Sequence, residues 1–206
     1  MKVTLGITIL VISIISTNLT AASYCGDLQA GGAGGDYTNS EDKRNLRTVE
    51  EYHFTPNVEK LISGSSGSVG ADLSYTLLMF PNHHRALAAF GNLSLKDKTL
   101  KPMGAKYSVE CFFDRAIRFR PNDGVVRMIY GNYLLKAGQT DKATEQLKDA
   151  VNLQPENPNI NYNLGLLYAQ KKDYEQAKIY AKKAYELGFP LPGLKNKLKE
   201  AGKWED

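Results

Sequence analysis

The 206-residue sequence is poor in the residues on which many enzymes and metal sites depend. It has two cysteines, three histidines and one tryptophan. The cysteines form no CxxC motif, and His53 lies outside any HExxH-like spacing, so neither a redox centre nor a metal site is indicated. No serine stands in a GxSxG frame. The glycine-rich residues 30–35 lack the preceding strand and the following Lys-Ser/Thr of a phosphate loop. The sequence therefore predicts no catalytic residue, metal, cofactor or small-molecule substrate.

An excess of charge of one sign is also missing. The chain has 26 basic and 22 acidic residues, a formal net charge of +4, and its lysines are scattered along the sequence. This argues against nucleic acid as a partner, because nucleic-acid-binding domains concentrate their basic residues in one patch. Hydrophobic residues make up 42% and charged residues 23% of the chain, a balance typical of a folded soluble domain.

The N-terminus has no charged residue between Lys2 and Asp27. Residues 5–15 are rich in Leu, Ile and Val, and small residues follow at 21–23, a pattern typical of a secretory signal peptide. We expect a signal peptide over residues 1–22, cleaved after Ala22 or Ser23, and a periplasmic or secreted mature protein. The alternative is an uncleaved membrane anchor, since the uncharged stretch approaches the ~20 residues of a spanning helix.

The two cysteines have a simple interpretation in an oxidising compartment. An even pair predicts one disulfide, Cys25–Cys111, which would tie the mature N-terminus to a helix in the middle of the chain. A buried free thiol at Cys111 is the alternative. Residues 23–40 are predicted to be a flexible N-terminal segment, because residues 29–40 are polar and rich in glycine.

Strand-like alternation of apolar and polar residues is absent throughout, which predicts an all-α fold. Residues 41–80 are predicted to form a helical N-terminal extension. Ser40 is expected to cap a helix that reaches about Tyr52, and Pro56 to open a short helix that ends at the Gly-Ser-Ser-Gly of residues 64–67. Leu73 and Leu77 then continue a helical spacing.

Beyond residue 80 the sequence repeats itself. Pro121 and Pro155 are 34 residues apart, and Pro155 and Pro190 are 35 apart, a period typical of stacked supersecondary units. Small residues recur between these prolines, where two antiparallel helices can approach each other closely. In the first helices they are Gly91, Gly131 and Gly165, and in the second helices Ala116, Ala143, Ala150, Ala177 and Ala184.

These positions resemble the tetratricopeptide repeat. One copy is formed by Tyr130-Gly131, Leu134, Ala143, Leu147, Ala150 and Pro155, and the next by Leu164-Gly165, Tyr168, Ala177, Ala181, Ala184 and Pro190. The resemblance implies a short helical solenoid that binds other proteins without catalysis. It divides residues 81–191 into a divergent repeat (81–123), two regular repeats (124–157 and 158–191) and a C-terminal capping helix (192–206). The motifs Tyr-Cys-Gly-Asp and Phe-Pro-Asn-His-His-Arg-Ala-Leu also resemble those of secreted bacterial repeat proteins.

The resemblance also implies a concave groove lined by the first helix of each repeat. Asn92 and Asn132 occupy places where family members use asparagine to bond a bound peptide backbone, a task that suits an amide because it donates and accepts. The alternative, equally weighted, is that these asparagines only bridge adjacent helices. The predicted groove residues are Arg85, Asn92, Met128, Asn132, Leu135, Lys136, Asn159, Tyr162, Leu166 and Gln170.

Family members that clamp a C-terminal carboxylate add Lys or Arg to the two asparagines. In this chain the corresponding positions are Ala88, Met128, Tyr162 and Leu166. A single acidic tail is therefore a poor ligand, and a more apolar or extended segment fits better. We expect an adaptor for a protein partner in an envelope complex.

Three alternatives remain open at this point. In the first, the convex surface completes an assembly. In the second, the protein is an enzyme with a pocket near His53, His83 and His84. Because neighbouring positions on a helix point about 100° apart, the adjacent His83 and His84 cannot easily share one metal ion. Four arginines around the Pro121 turn could bind an anionic cell-wall or membrane surface, unless carboxylates such as Asp114 and Asp123 neutralise them. These arginines are Arg115, Arg118, Arg120 and Arg127.

Overall fold

The computed structural model describes residues 25–28 and 34–204. The predicted signal peptide and residues 29–33 of the predicted linker lie outside the described residues. Within the described part every regular element is a helix, as predicted, and no helix there is long and apolar enough to cross a membrane. A 3-10 turn (Ser40–Asp42) precedes ten α-helices: α1 (Lys43–His53), α2 (Pro56–Glu59), α3 (Val69–Met79), α4 (His84–Lys96), α5 (Val109–Phe119), α6 (Gly124–Lys136), α7 (Thr140–Leu153), α8 (Pro158–Gln170), α9 (Tyr174–Glu186) and α10 (Gly193–Glu200).

Most helices begin where the sequence places a short polar residue. The side chains of Ser68, Ser108 and Asp173 each accept a hydrogen bond from a backbone N–H in the first turn of the following helix. The first helix begins differently from the prediction. Asn39, not Ser40, accepts from the N–H of Glu41 and starts the 3-10 turn, and α1 begins only at Lys43.

Helices α4 to α9 pack in pairs, α4 with α5, α6 with α7 and α8 with α9, and the first of these contacts is the least extensive. Glycine permits the closest approach within the second pair, because a Cβ atom at Gly131 would lie 2.8 Å from Cγ of Leu147. At Gly165 a Cβ would lie 2.6 Å from a methyl group of Leu194 on the capping helix. Gly131 and Gly165 therefore lie at helix–helix contacts where a larger side chain would displace its neighbour, and the recurring alanines of α7 and α9 are buried.

In the N-terminal extension α1 packs against α3, and the short α2 lies between them in the sequence. The turn from Phe80 to His83 has the hydrogen bond of the two later turns: the N–H of His83 donates to the carbonyl of Phe80, as Asp123 does to Arg120 and Asn157 to Gln154. The repeat pattern in the sequence predicts a first repeat that starts at residue 81. In the structure the same turn joins α3 to α4, and α1 packs against α3, a contact that the irregular 40-residue spacing from Pro81 to Pro121 does not reveal.

The C-terminal end closes the stack. Helix α9 ends at Glu186, and Gly188 adopts a positive φ of 85°, where the chain turns toward α10. Unlike the earlier turns, the Pro190 turn has no side-chain cap at Pro192 for the next helix. Leu194 and Leu198 of α10 are buried against α8 and α9, so this helix covers the apolar end of the array.

The N-terminal segment is attached to the solenoid at two places. The predicted disulfide is present, Cys25–Cys111, and the buried Arg115 guanidinium donates to the carbonyls of Cys25 (3.2 Å) and Asp27 (2.8 Å). Further along, the N–H of Gly34 donates to Met79, and Asp36 pairs with Arg120. Composition predicts a flexible linker here, but residues 34–40 have specific contacts with the first repeats.

Candidate functional site

A pocket of about 130 Å³ lies between α4 and α6, on the first helices of two neighbouring repeats. Three of the predicted groove residues, Asn92, Asn132 and Lys136, come together in its wall. The remaining lining residues are mostly apolar: Leu87, Ala88, Gly91, Ile129 and Tyr133. The pocket is therefore an apolar depression bordered by two amides and one ammonium group.

Both asparagines bridge adjacent helices. Oδ1 of Asn92 accepts a hydrogen bond from Nζ of Lys136 at 3.1 Å, and Nδ2 of Asn132 donates to Oδ1 of Asn163 at 2.9 Å. The other half of each amide, Nδ2 of Asn92 and Oδ1 of Asn132, has no hydrogen bond to any residue that the structure describes. One donor and one acceptor thus remain for a ligand at the pocket, beside the bridging role.

Sequence reasoning missed Asn163. Its Nδ2 donates to the carbonyl of Asn159 at 2.7 Å and contacts Sδ of Met128 at 3.5 Å, so it connects α6 and α8 beside the pocket. Asn159 and Asn163 are four residues apart on one face of α8, a spacing that could have identified the pair. By accepting the hydrogen bond from Nδ2, Asn163 fixes the orientation of the Asn132 amide. It thereby also fixes the position of Oδ1 of Asn132, the acceptor that remains for a ligand.

The structure places other predicted groove residues elsewhere. The ring of Tyr162 stacks on Phe189 with centroids 3.9 Å apart, so the chain's own C-terminal turn covers it. Arg85 bonds the Glu59 carboxylate through Nε at 2.8 Å and lies over the Phe54 ring, toward α1 and α2. Leu135 and Leu166 are half-buried against the core, while Asn159 and Gln170 are exposed.

His83 has a structural role at the start of α4. Its Nδ1 accepts a hydrogen bond from the N–H of Ala86 at 3.1 Å, so the proton of the neutral ring is on Nε2, which donates to Glu50 at 3.2 Å. The side chain is fully buried. Burial, with a smaller contribution from the charge of Arg85, lowers the pKa of His83 from 6.5 to about 3.

His84 and His53 each contact a different carboxylate. Nε2 of His84 lies 2.8 Å from Asp123, and Nδ1 of His53 lies 3.0 Å from Asp72. Burial alone would raise the pKa of Asp123, but hydrogen bonds from His84, the Val126 N–H and Asn82 outweigh it and hold that pKa below its usual value. Among the described residues, no three His, Cys, Asp or Glu side chains are grouped to hold a metal ion.

Ser66, Asp72 and His53 form one hydrogen-bonded cluster, in which Oγ of Ser66 also lies 3.1 Å from Nδ1 of His53. Oγ of Ser66 donates to Asp72 at 2.5 Å, and Asp72 also accepts the N–H groups of Ser65 and Ser66. The serine proton is therefore directed at the carboxylate, whereas a catalytic triad directs it at the imidazole. A cavity of about 470 Å³ near the Pro121 turn is lined by His84, without His53 or His83. Neither this cavity nor the pocket between α4 and α6 is lined by all three histidines, as the enzyme alternative requires.

The four arginines around the Pro121 turn are engaged within the protein. Arg118 pairs with Asp114 at 2.8 Å, as expected. Asp123 does not neutralise an arginine, contrary to the expectation, because its carboxylate bonds His84 and Asn82. The other partners of these arginines are backbone carbonyls for Arg115, Asp36 for Arg120, and Gln146 and Asp149 for Arg127.

Comparison with known proteins identifies the repeats. Residues 131–172 match the family described as TPR repeat, and residues 158–187 match the family described as Tetratricopeptide repeat. No curated protein matches the sequence significantly.

Several solved structures align with this chain. A structure from a functional characterization of Pseudomonas aeruginosa PilF has 21% sequence identity and a TM-score of 0.54, over 78% of this chain and 69% of that one. MamA MSR-1 C2 has 19% identity and a TM-score of 0.46, over 69% and 74%. A crystal structure of MamA has 18% identity and a TM-score of 0.45, over 82% and 99%. The PilF similarity supports the same solenoid fold for most of the described chain.

Proposed function

The chain is a tetratricopeptide-repeat protein, and from this premise we propose that it is an exported adaptor that binds an extended segment of another protein between α4 and α6. Proteins of this family are generally scaffolds for protein–protein interaction. The pocket between the two helices supports this location. Its volume of about 130 Å³ is well below the ~300–1,000 Å³ of typical small-molecule sites and suits one side chain of a peptide.

The two half-engaged asparagines are the observation on which the proposal rests. Nδ2 of Asn92 can donate to a peptide carbonyl, and Oδ1 of Asn132 can accept from a peptide N–H, since neither atom bonds another described residue. A bound backbone presents one group of each kind per residue. The bridges to Lys136 and Asn163 hold both amides in place before binding, which lowers the entropy lost on association.

The composition of the pocket also indicates which kind of segment it binds. Leu87, Ala88 and Ile129 give it an apolar floor, and Lys136 is the one cation in its wall. The positions that clamp an acidic terminus in other repeats are Ala88 and Met128 here. An extended segment with an apolar side chain therefore fits better than a C-terminal carboxylate.

A groove variant tests the proposal directly. Cross-linked affinity capture from the native envelope is expected to lose one or two specific proteins when Asn92→Ala and Asn132→Ala are combined, because each substitution removes a backbone hydrogen bond of about 1 kcal/mol. The matched control combines Asn152→Ala and Asn196→Ala, two exposed asparagines on α7 and α10. Retention of the same proteins by the groove variant, with folding intact by circular dichroism, would move binding to the convex surface.

Export is the second part of the proposal. It rests on the apolar, small-residue pattern of residues 1–22 and on Cys25–Cys111, since disulfides persist in oxidising compartments. The mature protein is expected to start at Ser23 or Tyr24 and to contain no free thiol. Intact mass spectrometry with and without reduction, on protein released from the periplasm, measures both properties. A membrane-bound chain that retains residues 1–22 would establish the anchor alternative instead.

A further inference from the structure

The loop between α4 and α5, residues 97–108, presents exposed apolar side chains on a fixed backbone. It contains most of the excess length that makes the first repeat longer than 34 residues. Leu100 is 52% exposed and Met103 is 79% exposed, the highest value among the large apolar side chains of the described part. Single exposed apolar residues are common on protein surfaces, so the surroundings of these two decide their meaning.

The backbone of this α4–α5 loop is anchored on its inner side. The carbonyl of Leu100 accepts from the N–H of Val109 at 2.8 Å, and the carbonyl of Met103 accepts from Oγ of Ser68 at 2.7 Å. Pro102, between them, is buried. The loop lies so close to α3 that a Cβ atom at Gly70 would come within 2.4 Å of the Met103 carbonyl. With both carbonyls held inward, the Leu100 and Met103 side chains extend into solvent.

Lysines flank the two apolar side chains in the sequence. Residues 96–106 contain four lysines and one acidic residue, Asp97, in a chain whose formal net charge is only +4. Lys98, Lys101 and Lys106 are exposed, and no carboxylate of the described residues pairs with them. Nζ of Lys96 bonds the carbonyl of Leu61 at 3.1 Å, and the next residue, Ile62, is 67% exposed.

We propose that the α4–α5 loop docks the protein on an anionic lipid surface. Leu100 and Met103 enter the boundary between headgroups and acyl chains, and the lysines contact the headgroups. Such pairing of apolar side chains with basic residues is the pattern of peripheral membrane binding. Long lysine side chains reach the headgroup level while their stems lie along apolar surface.

The residue types favour lipid over an acidic protein as the occupant. Defined carboxylates are recognised best by arginine, whose planar fork bonds them in a bidentate manner, and the loop contains no arginine. Two apolar side chains that project separately need a matching cavity on a protein partner, whereas a fluid acyl layer adapts to any shape. An acidic protein remains one outcome of the experiment below.

Vesicle co-sedimentation of the full-length mature chain tests the proposal. We expect binding to vesicles of phosphatidylcholine mixed with anionic phosphatidylglycerol, and little binding to phosphatidylcholine alone. Binding should weaken at high salt, because the Debye length falls from ~30 Å at 0.01 M to ~3 Å at 1 M. The double variant Leu100→Ser/Met103→Ser should bind about tenfold more weakly, since it loses the burial of two apolar side chains. Lys98→Glu/Lys101→Glu should weaken binding at least as much.

Matched controls distinguish a specific effect of the α4–α5 loop from the effects of net charge and of exposed apolar surface in general. Ile179→Ser replaces an apolar side chain that is 57% exposed on α9, and Lys172→Glu/Lys182→Glu makes the same charge change at other exposed lysines. Both should bind as the unaltered chain does. Equal losses in control and loop variants would reduce the effect to net charge and overturn the proposal. Absence of binding to anionic vesicles would also overturn the proposal. If the loop variants bind vesicles normally but lose a captured acidic protein, the loop is a protein-binding surface instead.

Discussion

Replacing Cys25 and Cys111 by serine is expected to lower the free energy of unfolding by about 4 kcal/mol. The bond joins residues 86 apart in sequence, and closing a loop of ~100 residues removes enough unfolded-chain entropy to contribute ~4.7 kcal/mol. Urea unfolding of Cys25→Ser/Cys111→Ser, compared with the oxidised parent chain, measures the difference. A change below about 1 kcal/mol would mean that the unfolded chain is already compact without the bond.

The same variant should loosen a second contact. Arg115 is fully buried, and its guanidinium donates hydrogen bonds to the carbonyls of residues 25–27, the segment that the disulfide holds in place. Without the bond, the segment can leave and water can reach the guanidinium, which burial disfavours in its charged form. Hydrogen exchange in α5 should therefore increase more than exchange in α8. Equal protection of α5 in both proteins would show that the hydrogen bonds alone hold the segment.

The fold was predictable where local sequence determines it. The glycine and alanine positions of α6 to α9 recur at a fixed period because each repeat has the same helix contact to make, as at Gly131 against Leu147. The pair α1 with α3 escaped prediction because α2 and the α4–α5 loop disturb that period. Contacts of the N-terminal segment, such as Asp36 with Arg120, join residues far apart in sequence that no periodicity relates.

In the candidate site, too, the repeat pattern predicts some residues, whereas contacts from outside the repeats determine others. Asn92, Asn132 and Lys136 come together because first helices of successive repeats lie side by side, which the repeat pattern implies. Arg85 and Tyr162 have partners from outside that pattern, Glu59 in the N-terminal extension and Phe189 in the last turn. A groove predicted from repeat positions alone is therefore most reliable at its centre. At both ends, the terminal segments of this chain determine which side chains remain accessible.

The unfolding free energy should fall by about 2 kcal/mol between pH 7 and pH 5 because of His83. The pKa of His83 is about 3 in the folded protein and 6.5 when exposed. Below pH 6.5 the unfolded chain therefore binds a proton that the folded protein does not bind until about pH 3. This difference favours unfolding increasingly as the pH falls, so the stability contributed by neutral His83 is full above pH 6.5 and lost toward pH 3.

The surroundings of His83 maintain this shift. Its ring is buried against Tyr37 and Phe54, and Arg85 and His84 disfavour a positive charge there, while Glu59 partly opposes the shift. The buried carboxylates Asp36, Asp72 and Asp123 all have lowered pKa values, so the stability that they contribute declines only below about pH 4. Between pH 7 and pH 5, the pH dependence of the unfolding free energy therefore reports on His83 and not on these carboxylates.

His83→Asn is the variant that isolates the effect. Asparagine can retain the cap on α4, because Asn157 at the same turn position accepts from the N–H groups of Asn159 and Ile160. Urea unfolding at pH 7, 6 and 5 should show a shallower fall in stability for the variant, by about 2 kcal/mol over the interval. His53 and His84 are present in both proteins, so their contributions cancel in the comparison. An unchanged pH slope would mean that His83 binds its proton in the folded protein, with Glu50 as the compensating charge.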